Sequence, residues 1–405
     1  GEHSENTSQN PIFSEHVGQL GERYNATSCI SCHKHNARSP ALQIGGVLEN
    51  YSILTGASEG GAHETYGLNI QQFSHDADAT NYTVILERYE TQTRTLSGDE
   101  TVELRKPVYH FSGPTPDAYS VRQAPQVIGM GLLEAVSEET ILANVDANDI
   151  NNDGVYGTPQ WVTNPETGET HLGRFGWKAG KASVRHQTSE ALLLDLSITS
   201  APFRMKSCQK LVEGDCQTSD TETDVSDAEL ERLVQYLQLV GVPAQRSYES
   251  GYPEGIRVSP EHEVDPEAIA HGSELFAQIG CTKCHTATMT TGNTHPFAEL
   301  RNQTIHPYTD LLLHDLGDEL GDSLSQGSAT PNMWRTPPLW GLGTLKYAQG
   351  DKGVPGEVRY LHDGRAHSLD EAILWHGGEG TESRRSYEDL SKGDRSAIKA
   401  FLESL

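Results

Sequence analysis

Cys281-Thr282-Lys283-Cys284-His285 sets two thiols three residues apart with an imidazole directly after the second. Two thiols at that spacing can add across the two vinyl groups of a porphyrin. The histidine that follows is then placed under the iron as its proximal ligand. A second copy stands at Cys29-Ile30-Ser31-Cys32-His33, so four of the six cysteines fall into two such motifs. Two half zinc sites would also use C-x-x-C pairs. That alternative leaves a histidine after each pair unexplained and joins pairs that lie far apart. The expectation is two covalently bound haem c groups, with His33 and His285 on the irons.

The 405 residues suffice for two domains and a sizeable core. A formal charge of −27 argues against binding nucleic acid or an anionic membrane through a general field, and it suits a basic redox partner. Aromatic residues are sparse at 7%, while Gly (39) and Pro (19) are frequent, which predicts many irregular loops around a modest helical core. Cys208 and Cys216 sit in a polar segment and read as a local disulfide, worth about 2.5 kcal/mol by loop entropy. Disulfides and covalent haem both point to a periplasmic or extracellular setting. No stretch is long and apolar enough to cross a bilayer. The chain also shows no signal peptide and is expected to be a mature or trimmed form.

Residues 34–80 are rich in Gly, Ser, Asn and Ala and promise little regular structure. Across 82–108 two β-rich runs flank the turn Ser97-Gly98-Asp99, a hairpin read as an ornament on a helical domain. Residues 126–145 suggest packed helix and turn. In Asp146-Ala147-Asn148-Asp149-Ile150-Asn151-Asn152-Asp153-Gly154, oxygen ligands at Asp149, Asn151 and Asp153 resemble the first half of a calcium loop. The twelfth position would be Gln160 rather than a bidentate Glu, and an Asx-rich turn is the plainer alternative. Ser226-x-x-Glu229 is a capping box ahead of Leu230, Leu233, Val234 and Leu237. Asp265-Pro266 starts a helix that runs into Cys281, and Ser391 precedes a last helix through Ile398, Phe401 and Leu402. Each half thus begins with a haem motif and closes with an amphipathic helix, in the order of a cytochrome c domain.

A haem iron has two axial positions. Ser368-x-x-Glu371 is another capping box, and the short helix it opens puts Leu369, Ala372, Ile373 and His376 on one face, ended by Gly377-Gly378. A histidine on that stripe needs a partner. A backbone carbonyl would serve, but an iron in the same half-chain needs a ligand, and His376 is read as that ligand.

The chain resembles the bacterial di-haem cytochrome c peroxidase superfamily, and more closely the di-haem oxidoreductases also labelled peroxidases or thiol oxidoreductases. The resemblance rests on Gly129-Met130-Gly131-Leu132-Leu133-Glu134, Arg174-Phe175-Gly176-Trp177-Lys178-Ala179, Asp310-Leu311-Leu312-Leu313-His314-Asp315, Trp334-Arg335-Thr336-Pro337-Pro338-Leu339-Trp340 and residues 361–378. It implies that His362, in the turn His362-Asp363-Gly364, and Arg335 contact haem. It places His376 where the peroxidases carry a distal methionine, implying bis-histidine ligation of the kind in rubber oxygenases. It matches their inter-haem tryptophan to Trp177, their distal glutamine to Gln187 and, with a two-residue shift, their distal glutamate to Asp195. Glu134 is an alternative acid. A packed core tryptophan and structural polar side chains are the plain alternatives for these positions. The peroxidases' switchable histidine falls on Glu49, so the first haem is either open or capped by another histidine, with His63 and His75 as candidates.

These readings predict a mainly α protein of two cytochrome c-like domains, 1–245 and 246–405, with a small β-hairpin insertion and long loops. The first haem would react with peroxide and the second would pass electrons from a redox partner protein or small donor. A pure electron-transfer cytochrome serving an extracellular oxidase is the alternative from another class, and an oxygenase is a third.

Overall fold

A computed structural model describes residues 20–57, 61–204, 223–246, 264–351 and 354–405. Cys208 and Cys216 lie outside the described residues, so the disulfide reading does too. The fold is not mainly α: 29% of the described residues are helical and 21% are strand. In the Gly- and Pro-rich stretches the apolar anchors are too widely spaced to sustain a helix nucleus. The chain there pairs as strands instead, and among the described residues these form six two-stranded antiparallel ribbons.

In chain order the first motif forms a single turn, α1 (Cys29–Cys32). A ribbon of β1 (Arg23–Tyr24) with β3 (Phe73–Ser74) and another of β2 (Tyr51–Gly56) with β6 (Ala118–Gln123) follow around it. Between them stands the long hairpin β4 (Val84–Leu96) and β5 (Glu100–Phe111). Its turn needs left-handed backbone at Gly98 and Asp99, which the predicted Ser-Gly-Asp signal supplies. The helices of this half are α2 (Met130–Ala135), α3 (Glu138–Leu142), α4 (Val184–Leu196) and α5 (Asp227–Leu239). A small ribbon of β7 (Trp161–Thr163) and β8 (Thr170–Leu172) lies among them. The Ser226–Glu229 capping box is present at the start of α5.

The second half opens with α6 (Pro266–Gln278), capped by Asp265, and turns through left-handed Gly280 into Cys281. Two short ribbons follow, β9 (Met289–Thr290) with β10 (Thr304–Ile305) and β11 (Leu313–Asp315) with β12 (Met333–Arg335). Then come α7 (Leu345–Gln349), α8 (Leu369–Leu374), α9 (Thr381–Asp389) and α10 (Lys392–Ser404). α10 packs directly on α6. Gly272 permits that approach, because a Cβ there would stand 2.0 Å from the Ala397 carbonyl oxygen.

The hairpin is no ornament. Thirteen residues in β4 reach about 40 Å. Its base packs with Leu48, Ile53 and Val121. Its far end puts Leu96 and Leu104 into the core formed by α6, α8 and α10. There Glu371 accepts the Arg105 backbone N–H at 2.7 Å and pairs with its guanidinium at 2.9 Å. The Ser97 N–H donates to the Glu388 carbonyl at 2.8 Å. The other large core mixes the halves as well. Leu192, Leu230 and Val234 pack there with Met289, Ile305 and Trp340.

Candidate functional site

Both C-x-x-C-H motifs open onto one continuous cavity of about 510 Å³. Around the second, the 3₁₀ turn Cys281–Lys283 lets the His285 N–H reach the Cys281 carbonyl at 2.9 Å, which turns the ring inward. His285 Nδ1 bonds the Tyr308 carbonyl at 2.9 Å, leaving Nε2 for the cavity. Burial pushes its pKa down to about 4, and nearby His376 adds to that shift. His376 lies just past the end of α8. Its Nδ1 bonds the Ala372 carbonyl at 2.9 Å, and Leu369, Ala372, Ile373 and His376 all line the cavity. The predicted helix face is therefore real, although the helix stops two residues earlier. Glu371 does not close the predicted box on Ser368; it takes the His367 N–H at 2.8 Å and the hairpin's Arg105.

A haem fits these residues. Two imidazoles keep Nδ1 on a carbonyl and Nε2 free, which is how a second group fixes the ligating nitrogen. Cys281 and Cys284 are free thiols beside them, and burial pushes the Cys281 pKa up to about 12. Bound at such a site, haem supplies a redox-active iron.

At the first motif, Cys29, Cys32 and His33 line the same cavity. Burial lowers the His33 pKa, opposed by the Pro125 and Ala37 backbone. Burial also raises both thiols, and the nearby Asp195 carboxylate adds to each shift. α4, capped by Ser183, turns Gln187, Glu190, Ala191, Leu194 and Asp195 toward this space. The helix is held by the Asn25 N–H on the Asp195 carbonyl at 2.8 Å and by Gln71 Nε2 on the Leu194 carbonyl at 2.8 Å. Burial pushes the Asp195 carboxyl up to about 7, with the Asn25 side chain opposing and Glu190 reinforcing. Gln187 Oε1 is buried without a hydrogen-bond partner. Glu190, which the sequence reading missed, pairs with Lys181 at 2.5 Å. Its signal was its position three residues after Gln187 on one helix.

Other expectations resolve differently. Glu134 does not line the cavity; its carboxylate accepts the Val184 N–H at 2.7 Å, Gln238 Nε2 at 2.5 Å and His295 Nε2 at 3.3 Å. It clamps α2 to α4 and α5 rather than serving as an acid at the haem site. His63 stacks on Tyr66 and His75 lies tilted against Tyr24, both away from the cavity, and Glu49 is exposed. Among the described residues the lining histidines are His33, His285, His314, His362 and His376.

The calcium reading gains no support. Asp149 Oδ1 accepts the Asp153 and Gly154 N–H groups at 2.8 and 3.1 Å. Asn151 Oδ1 accepts the Asp153 N–H at 3.0 Å. Asp153 accepts the Val155 N–H at 3.0 Å and pairs with Lys283 at 3.3 Å. These are linked Asx turns, tied to the second motif through Lys283.

Between the motifs, Trp177 is nine-tenths buried and donates Nε1 to the Gln123 carbonyl at 2.9 Å. Its ring meets the edge of His362 at 6.5 Å, and His362 stacks on Trp334 at 3.7 Å and 13°. All three rings line the cavity, and Trp334 extends the predicted single indole into a row of three. Burial pushes the His362 pKa down to about 3, against the pull of Asp363. Arg335 is buried and lines the cavity, with Nε on the Gly176 carbonyl at 2.8 Å. The Asp310-to-Asp315 motif also acquires a geometry. His314 lies between Asp310 and Glu379, each at 2.7 Å, with Cys284 Sγ at 3.5 Å. Burial opposes charge on His314, but the two carboxylates raise its pKa well above the usual range.

No helix among the described residues is long and apolar enough to cross a membrane. No curated protein and no solved structure matches the chain. The family described as "Di-haem oxidoreductase, putative peroxidase" matches residues 118–405, a span that begins after the first C-x-x-C-H motif and includes the second. The cavity with its two motifs belongs, on that match, to a member of the di-haem oxidoreductase family.

Proposed function

We propose that the chain is a peroxidase-type di-haem oxidoreductase with two unlike sites. Residues 1–245 carry a peroxide-reactive haem, attached through Cys29 and Cys32 with His33 on its iron. Residues 246–405 carry an electron-transfer haem, attached through Cys281 and Cys284 with His285 and His376 on its iron. The observation that carries this reading is the asymmetry of the cavity wall. His376 stands near His285, with Nδ1 anchored and Nε2 free. Near Cys29 and Cys32 the wall offers Asp195 and Gln187 on α4. Asp195, with a pKa raised to about 7, can take a proton from one peroxide oxygen and return it to the other. The Gln187 amide, whose Oε1 has no partner, can hold the peroxide in register. The row Trp177, His362 and Trp334 offers a path for electrons between the sites. The donor is a redox protein or small reductant, in keeping with a periplasmic or extracellular setting.

Low-temperature EPR of the ferric holoprotein tests this reading. One high-spin and one low-spin haem are expected, with peroxide perturbing the high-spin signal alone. Two low-spin haems indifferent to peroxide in every redox state would leave electron transfer as the function.

A further inference from the structure

Among the described residues, three guanidinium groups that line the cavity are buried without an acid. Arg38, Arg122 and Arg335 are 8%, 7% and 6% exposed, and all line the cavity. Among the described residues, none of the three has a carboxylate oxygen within ion-pair distance. Other buried cations do, Lys181 in the same lining and Lys178 and Arg365 outside it. Lys178 has Asp322 at 3.3 Å, Lys181 has Glu190 at 2.5 Å and Arg365 has Asp363 at 2.8 Å. Arg174 also lacks a carboxylate, but its guanidinium caps the Leu133, Glu134 and Val136 carbonyls at the end of α2, outside the cavity.

The partners these arginines do have are neutral and leave N–H groups over. Arg122 gives Nε to Ser120 and Nη1 to Gln326, while its buried Nη2 has no partner. Arg38 reaches the Leu361 carbonyl through Nη2 and lies 5.3 Å from the Trp177 ring centroid, while its buried Nε has no partner. Arg335 gives Nε to the Gly176 carbonyl and Nη1 to the Thr336 carbonyl. An uncompensated buried cation is strongly unfavourable, and three at one wall imply an anion in the same space. The planar, forked guanidinium suits a carboxylate best.

We propose that Arg38, Arg122 and Arg335 form a carboxylate-binding clamp and that the carboxylates they hold are the haem propionates. The inference rests on both haems lying in this cavity. It adds that their propionate edges turn toward the wall carrying Trp177. Cations there favour the reduced haem, because reduction adds an electron beside them.

Arg→Met and Arg→Lys variants of each position, prepared as holoprotein, test the clamp. Mass of the denatured chain counts attached haems, a spectroelectrochemical titration reads each midpoint potential, and resonance Raman reads the propionate bending bands without added anion. Each Met variant is expected to keep two haems, shift a propionate band and move one haem to lower potential. Each Lys variant should shift the band while keeping the potential near wild type. Where a Met variant fails to fold, unshifted bands in its Lys counterpart overturn the clamp. Unchanged bands and potentials in proteins with two attached haems also overturn it while leaving the haem placement intact. If acetate perturbs the wild-type haem spectra but not those of the variants, the arginines serve a carboxylate from solution and the propionate assignment is wrong. A chain without haem on Cys29/Cys32 or Cys281/Cys284 overturns the placement itself and the clamp with it.

Discussion

Asp195 and His376 show how far a single side chain can be read without coordinates. His376 was legible because a helical period put it on a stripe with Leu369, Ala372 and Ile373, and all four line the cavity. Replacing it by Ala should turn one low-spin EPR signal high-spin and leave the other haem unchanged. Asp195 was reached only through the family resemblance. Its acidity depends on burial, which no local pattern encodes, and burial sets its pKa near 7. As a base it works ionised, so the peroxide step should accelerate as pH rises through about 7 and level off above it. Asp195→Asn should abolish that limb and slow the step by about 10²-fold or more, as stopped-flow mixing would read. Arg38 and Arg122 were invisible for a plainer reason. A cation carries no mark of being buried until the fold closes over it.

Helix ends were the most legible elements. Ser226, Asp265, Ser368 and Ser391 each cap the helix expected of them, because capping is settled within one turn. Fold class was misread because the long loops were given no strands, although short antiparallel pairing is how such loops satisfy their backbone groups. The β4–β5 hairpin was found, but its reach was not, since Leu96 and Leu104 meet partners some 300 residues away only in the folded chain. Leu104 is fully buried. Leu104→Ala should cost about 2–5 kcal/mol in chemical denaturation. At the crossing of α6 and α10, Gly272→Ala would drive a methyl into the Ala397 carbonyl. That overpacking should cost about 1–3 kcal/mol in the same measurement.

The whole molecule carries a charge of −27, so its field reaches a donor before any contact forms. Reduction by a basic donor protein should slow steeply as ionic strength rises past about 0.1 M, where the Debye length falls to about 10 Å; a neutral small reductant should show little change. The charge was plain in the sequence, whereas the way the halves join was not. Division at 245 follows the repeat of motif and closing helix, yet Met289, Ile305 and Trp340 complete the first core and Leu96 and Leu104 the second. That interleaving bears on how the protein is made. A ribosome that has finished the first motif has not yet produced the residues that close the core around it. The core beside Cys32 is complete only once Trp340 has been made, and the core beside Cys281 only once Leu405 has. A stop codon just ahead of Met289 would deprive the first core of Met289, Ile305 and Trp340 and the second of α8 and α10 at once.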